Sequence, residues 1–229
     1  MSWLTMRYFY TSILLVAVFV LISSIIFLST NNFFSEGKVL LNFDKVIVLH
    51  TSLNHNSFLD HFMKLVSEYG REVFWIIIIV TSFVYGGYQG KMITVVITLS
   101  LLIVIPLNVL IKEATDRDRP SFVLSETSIE QQTDQSFPSG HASVVAAGIT
   151  AFGLFLQRTK RNLIIFSALL LEGLLVFISR IYLGVHYPTD VIGGIILGTG
   201  VTFFISTFHS IYSKMIIMIF YKNSEKNSS

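Results

Sequence analysis

Six stretches of the chain are almost purely apolar, and polar segments of unequal length separate them. Residues 8–28 carry no charge, and comparable runs follow at 73–88, 92–111, 141–156, 163–179 and about 189–209. A membrane-spanning helix needs about 20 predominantly apolar residues, with roughly 17–25 as the working range. The second and fourth runs are short, and the fifth contains Glu172. The pattern predicts an all-α integral membrane bundle of six transmembrane helices. Within 29–72, Phe43, Val46, Ile47, Phe58, Phe62 and Leu65 recur at near-helical spacing among Asp44, Lys45, Asp60 and Lys64. That periodicity predicts one or two short interfacial amphipathic helices before the second span, covering the helix mouth. No internal repeat interrupts the layout, so residues 1–229 read as one membrane-embedded domain with a core of about 40–210. Residues 211–220 are apolar around Lys214 and either extend the last helix or lie along the membrane surface, and the polar tail beyond them frays.

Composition reinforces the pattern. Hydrophobic residues make up 52% and charged ones 13%, with a mean hydropathy of +0.68, against about 45–50% and about 25% in a soluble domain. A disordered chain is excluded. The absence of cysteine removes thiolate catalysis, zinc–thiolate sites and iron–sulfur clusters. A net charge of +2 gives no reason to expect nucleic acid. Arg7 precedes the first run as in a signal peptide. That run, however, exceeds the roughly 7–15 residues of a signal core and lacks a small-residue cleavage site, so it reads as an uncleaved helix. With six spans, both termini share a side with the short turns near 86–91 and 157–162. These hold Lys91, Arg158, Lys160 and Arg161 beside the terminal Arg7, Lys214, Lys222 and Lys226. Short loops dense in Lys and Arg stay cytoplasmic. The termini are therefore expected in the cytoplasm, with segments 29–72 and 112–140 facing outward in a multi-pass plasma-membrane protein.

Three polar clusters break the apolar pattern, and parity puts all of them on that outer face. Lys112 closes the third run and Arg119-Pro120 follows. Pro138-Ser139-Gly140-His141 opens the fourth. Ser179-Arg180 closes the fifth, and His186 with Asp190 opens the sixth. Such a set fits an anion, most plausibly a phosphate. Lys112, Arg119 and Arg180 surround it, with guanidinium forks suited to phosphate oxygens. Ser139 caps a helix N-terminus and leaves the N–H groups of Gly140 and His141 to donate. His186 and Asp190, four apart, meet on one helix face. The carboxylate fixes the imidazole tautomer, and the other ring nitrogen attacks phosphorus. His141 is the general acid for the departing alkoxide and then the base for water. A neutral His186 with a protonated His141 predicts a bell-shaped pH profile belonging to the coupled pair.

Taken singly, these residues have plainer readings. Lys112, Arg119 and Arg180 resemble interfacial snorkelling residues, Ser139 an N-cap, and His186–Asp190 a structural hydrogen bond. Asp116 and Asp118 look like solvated loop acids partnering Arg117, not a metal pair. His50, His55 and His61 are too scattered for a ligand set, and His209 reads as structural. Glu172, near mid-membrane, either is protonated or hydrogen-bonds Asn108 from the third run.

Together, Lys112-x6-Arg119-Pro120, Pro138-Ser139-Gly140-His141 and Ser179-Arg180-x5-His186-x3-Asp190 resemble the tripartite signature of the type 2 phosphatidic acid phosphatase superfamily. Every specified position is filled, in order. The resemblance implies a histidine nucleophile at His186 assisted by Asp190, an acid at His141, and phosphate ligation by Lys112, Arg119, Ser139, Gly140 and Arg180. It implies no cofactor and no required metal, and a site at the outer interface where a lipid head group enters sideways. The expected activity is hydrolysis of a lipid phosphate or pyrophosphate monoester: undecaprenyl pyrophosphate, phosphatidylglycerophosphate or phosphatidic acid. The expected intermediate is a phosphohistidine. Its partners are the lipid substrate and the bilayer, with oligomeric state open. The alternative is a lipid-phosphate binder or transporter using the same cations without turnover. A phosphotransferase would differ only in its acceptor.

Overall fold

A computed structural model describes residues 2–30, 38–52, 56–120 and 132–221. Among these the chain is all-helical: α1 (Trp3–Thr30), α2 (Lys38–Ser52), α3 (Ser57–Arg71), α4 (Val73–Tyr85), α5 (Gly87–Thr115), α6 (Gly140–Phe155), α7 (Lys160–Tyr182), α8 (Pro188–Ser206) and α9 (His209–Phe220). Four of them, α1, α5, α7 and α8, are long and apolar enough to cross a membrane; α4, α6 and α9 are apolar but shorter. The apolar runs and the helices coincide to within a few residues, because each run is bounded by residues that cap or break a helix. Thr159 accepts from the N–H of Asn162 at the start of α7, and Asn56 does the same for Leu59 at the start of α3.

The tightest packing joins α6 to α8. A Cβ at Gly194 would fall 2.4 Å from the Ser139 carbonyl oxygen, and one at Gly198 would fall 2.1 Å from that of Ser143. Only glycine lets the two backbones approach so closely. Around this pair, Val145, Ala151 and Val201 join Trp75 from α4 and Val96, Ile97 and Val104 from α5 in one core. On α1, Phe19 stacks on Phe137 with ring centroids 5.8 Å apart, pinning the segment that leads into α6. The outer surface is apolar: Leu21, Ile76, Leu102, Ile164 and Leu171 are all exposed, the arrangement lipid requires.

Two short helices, α2 and α3, precede α4. Phe43, Val46 and Leu49 are exposed, whereas Asp44 is completely buried. Val48 is buried on the same side as Asp44, while Lys45 is exposed beside Phe43 and Val46. The segment after 210 is a separate helix, α9, which packs against α5 and buries Ile216.

Candidate active site

Where α7 hands over to α8, the chain reverses through Gly184, at φ +67°, a backbone conformation that glycine adopts without strain. The Arg180 carbonyl accepts the N–H groups of Val185 at 3.3 Å and His186 at 3.2 Å. The turn therefore brings Arg180 and His186 together. Pro188 opens α8, and Asp190 in its first turn accepts the Tyr187 N–H at 2.8 Å. One helical turn from His186, Asp190 holds Oδ2 3.5 Å from Nδ1, longer than a hydrogen bond, and Nδ1 has no hydrogen-bond partner among the described residues. On the other side, Nε2 lies 3.3 Å from Arg119 Nη1. A guanidinium only donates, so Nε2 meets it with its lone pair and the ring proton sits on Nδ1, facing Asp190. Burial, followed by the charges of Arg119, Arg180 and Lys112, holds His186 well below the ordinary 6.5, which keeps the ring neutral.

At the mouth of the same pocket, Lys112 in the last turn of α5 contacts Asp134 Oδ2 at 2.9 Å and donates to the Gln135 carbonyl. Arg119 donates to the Asp134 carbonyl at 2.6 Å, to Asp134 Oδ1 at 2.7 Å and to the Val185 carbonyl at 2.7 Å. Burial raises the Asp134 carboxyl, but its hydrogen bond to Lys112 and the charge of Arg119 outweigh burial and leave it below the ordinary carboxylate value.

Ser139 caps α6, accepting from the Ala142 N–H at 3.5 Å, and its own N–H donates to the Asp190 carbonyl at 3.0 Å. The first-turn N–H groups of Gly140 and His141 have no intrahelical acceptor, and a Cβ at Gly140 would meet nothing within 4 Å. His141 Nδ1 lies 3.4 Å from Arg71 Nη1. By the donor argument used above, its proton sits on Nε2. Arg180, Arg71, His186 and Arg119 all act electrostatically on this ring. A cavity of about 430 Å³ between α4 and α5 opens onto Lys112, Asp134, Gly140 and Arg71. A larger one, about 810 Å³ between α1, α5 and α8, touches none of these side chains, so chemistry and not size singles out the first.

Behind His186 lies a second ionic network, which the sequence reading misses. Arg117 donates to Asp190 Oδ1, to Thr189 Oγ1 at 2.8 Å and to Asp44 Oδ2 at 2.6 Å. Thr189 donates its N–H to Asp44 Oδ1 at 3.1 Å and its hydroxyl to Oδ2, and Ser136 donates its hydroxyl to Asp190 Oδ2. Burial works against the charge on Arg117, but Asp190 and Asp44 prevail and raise its pKa. Its guanidinium lies 4.3 Å from the Tyr187 ring centroid. Burial of that phenol outweighs the opposing charge of Arg117 and pushes it up to about 12, so it stays neutral.

The structure thus gathers Lys112, Arg119, Ser139, Gly140, His141, Arg180, His186 and Asp190 into one cluster, of which Lys112 and Gly140 line the α4–α5 cavity and the others lie largely buried behind it. Arg180 also donates to Ser67 of α3. Arg117 turns away from Asp116 and Asp118, both exposed, because two buried carboxylates outcompete solvated ones for a guanidinium. Asn108 is occupied by the Val104 carbonyl and Ser143, so Glu172 does not bond it. Instead the Glu172 carboxyl faces Gly70 of α3, and neither oxygen has a hydrogen-bond partner among the described residues. His61 is exposed and His209 rests on the Ser206 carbonyl, while His55 lies outside the described residues. No group of three potential metal ligands occurs among the described residues.

Known proteins share this layout. The PAP2 superfamily profile matches residues 92–213, which include all three polar clusters. An undecaprenyl-diphosphatase of Sulfolobus acidocaldarius is 34% identical over 69% of this chain and 75% of its own length. Undecaprenyl-diphosphatase BcrC of Bacillus subtilis is 28% identical over 78% of this chain and 90% of its own. The crystal structure of a transmembrane PAP2-type phosphatidylglycerolphosphate phosphatase from Bacillus subtilis superposes with a TM-score of 0.68 at 25% identity, covering 88% of this chain and 97% of that one. On the profile match and the shared sequence, this chain belongs to the PAP2 superfamily.

Proposed function

We propose that this protein is an integral membrane lipid phosphatase that releases phosphate from a lipid phosphate or diphosphate by way of a phosphohistidine. The observation that carries the reading is His186, neutral and poised between Asp190 and Arg119, with Lys112, Arg180 and the open N-terminus of α6 around it. Binding alone needs cations and N–H donors; it does not need a nucleophile with an orienting carboxylate. In the reaction, Nε2 attacks phosphorus as the bond to the leaving lipid oxygen breaks, and the Nδ1 proton is stabilised by Asp190. His141, doubly protonated once the substrate's phosphate is bound beside it, supplies a proton to the leaving oxygen, and the neutral ring then takes one from the water that cleaves the N–P bond and frees inorganic phosphate. Lys112, Arg119, Arg180 and the N–H groups of Gly140 and His141 stabilise charge on the phosphoryl oxygens in flight. These fixed charges do the work a metal would otherwise do, so turnover proceeds without one.

The α4–α5 cavity favours a lipid whose tail stays in the bilayer while its head group reaches Lys112. Both named undecaprenyl-diphosphatase relatives favour a polyprenyl diphosphate, with phosphatidylglycerophosphate and phosphatidic acid next. In this reading α1, α4, α5, α6, α7 and α8 are the six spans of a plasma-membrane protein, and the site faces outward with the termini in the cytoplasm. The test is phosphate release by purified protein from a panel of lipid phosphates and diphosphates in excess chelator. Turnover that persists supports the mechanism. Strict dependence on added Mg²⁺, or binding without release, overturns it. Cysteine labelling of Ser125→Cys checks sidedness in this cysteine-free chain, and reaction only from the cytoplasm reverses the topology.

A further inference from the structure

The two cations at the mouth are held by a single carboxylate, one oxygen each: Asp134 Oδ2 on Lys112 at 2.9 Å and Oδ1 on Arg119 at 2.7 Å. A phosphate presents pairs of oxygens on one atom in the same way. Burial divides the partners unequally. The Lys112 and Arg119 side chains are 10% and 1% exposed, whereas that of Asp134 is 55% exposed. The cations cannot leave for water, but the carboxylate can. We propose that Asp134 is a built-in competitor for the anion site, occupying Lys112 and Arg119 until a phosphate displaces it and thereby keeping singly charged phosphodiester head groups out.

This inference rests on the reading of the pocket as a phosphate site and adds a selectivity rule to it. If Asp134 swung out with nothing in its place, Lys112 and Arg119 would lose the carboxylate that bridges them while remaining buried, which is unfavourable. The carboxylate therefore stays until another anion arrives. A phosphodiester brings one negative charge, the same as Asp134, and must beat a tethered group whose effective concentration is on the order of millimolar or higher. A monoester dianion or a diphosphate brings at least twice the charge. The competition weakens every anion by the same factor, as for any ligand whose competent state is only partly populated. Phosphodiesters, the bulk lipids of a bilayer, fall below useful occupancy, while more highly charged head groups still bind.

The test titrates the purified full-length protein in detergent with inorganic phosphate and with dimethyl phosphate, a soluble monoanion, by calorimetry. Asp134→Asn and the smaller Asp134→Ser are each expected to tighten both anions by a common factor of about tenfold, and phosphatidylglycerol in mixed micelles then begins to compete with phosphate. Unchanged or weaker constants in a folded variant overturn the proposal and make Asp134 a fixed support for the cations. Absence of phosphate binding in wild type and variants alike overturns it together with the phosphate site. Tightened phosphate binding without release from any lipid phosphate sustains this inference and refutes the hydrolase.

Discussion

Two ionic networks meet at His186, and they differ in what surrounds them. The rear one, Asp44–Arg117–Asp190, is dry: side-chain exposure is 4% for Arg117 and zero for both acids. Its carboxylate oxygens are matched by Arg117, Thr189, Ser136 and the Tyr187 N–H. The front one, Lys112–Asp134–Arg119, shares the pocket but has its acid at the water side. A buried ion pair whose remaining lone pairs are satisfied resists rearrangement, because removing either partner leaves a stranded charge. A pair with one exposed member exchanges readily with solvent and with other anions. The rear network holds the Asp190 carboxylate rigidly, whereas the front one has a member exposed to exchange.

Four measurements sharpen this contrast. The largest effect is expected from His186→Ala, where the networks join: turnover falls by at least about a thousandfold in steady-state phosphate release, while the melting temperature in detergent holds or rises. Arg117→Met comes next. It strands Asp44 and Asp190 and is expected to lower stability by about 3–5 kcal/mol. Adding Asp44→Asn restores part of that loss, and unfolding by heat or denaturant reads the cycle. An Arg117 variant with native stability would show that the rear network does not act as a unit.

The third effect is pH dependence. His186 sits below its ordinary value of 6.5 in the folded protein, so under that pH the unfolded chain takes up a proton that the native ring refuses. Stability then declines as pH falls from about 6.5 toward the folded pKa, by up to about 1.4 kcal/mol per pH unit. His186→Gln reduces that slope in thermal melts between pH 7 and 5. The smallest effect belongs to Lys45→Ala, beside Asp44 on α2 but exposed, which stays within about 0.5 kcal/mol.

The helices and the pocket's motif residues were legible in the sequence because hydropathy and local spacing report them directly. The rear network was not. Asp44 and Arg117 are 73 positions apart, and no local pattern joins them. The periodicity of α2 gives two faces but does not say which is inside. Here Phe43 and Val46 face out, while Val48 and Asp44 face in, where Asp44 meets Arg117. Arg71 and Asp134 escaped for a similar reason: each sits near a motif without belonging to one, and only the packing of α3 and the approach to α6 bring them to the pocket.

The glycine contacts between α8 and α6 carry a mechanical consequence. With Gly194 and Gly198 seated on the carbonyls of Ser139 and Ser143, the helix that begins just after His186 and the helix capped by Ser139 have no slack between them and travel as one rigid block. Any movement that widens the α4–α5 cavity must therefore come from the α4 wall, and it leaves Ser139, Gly140 and His186 in register.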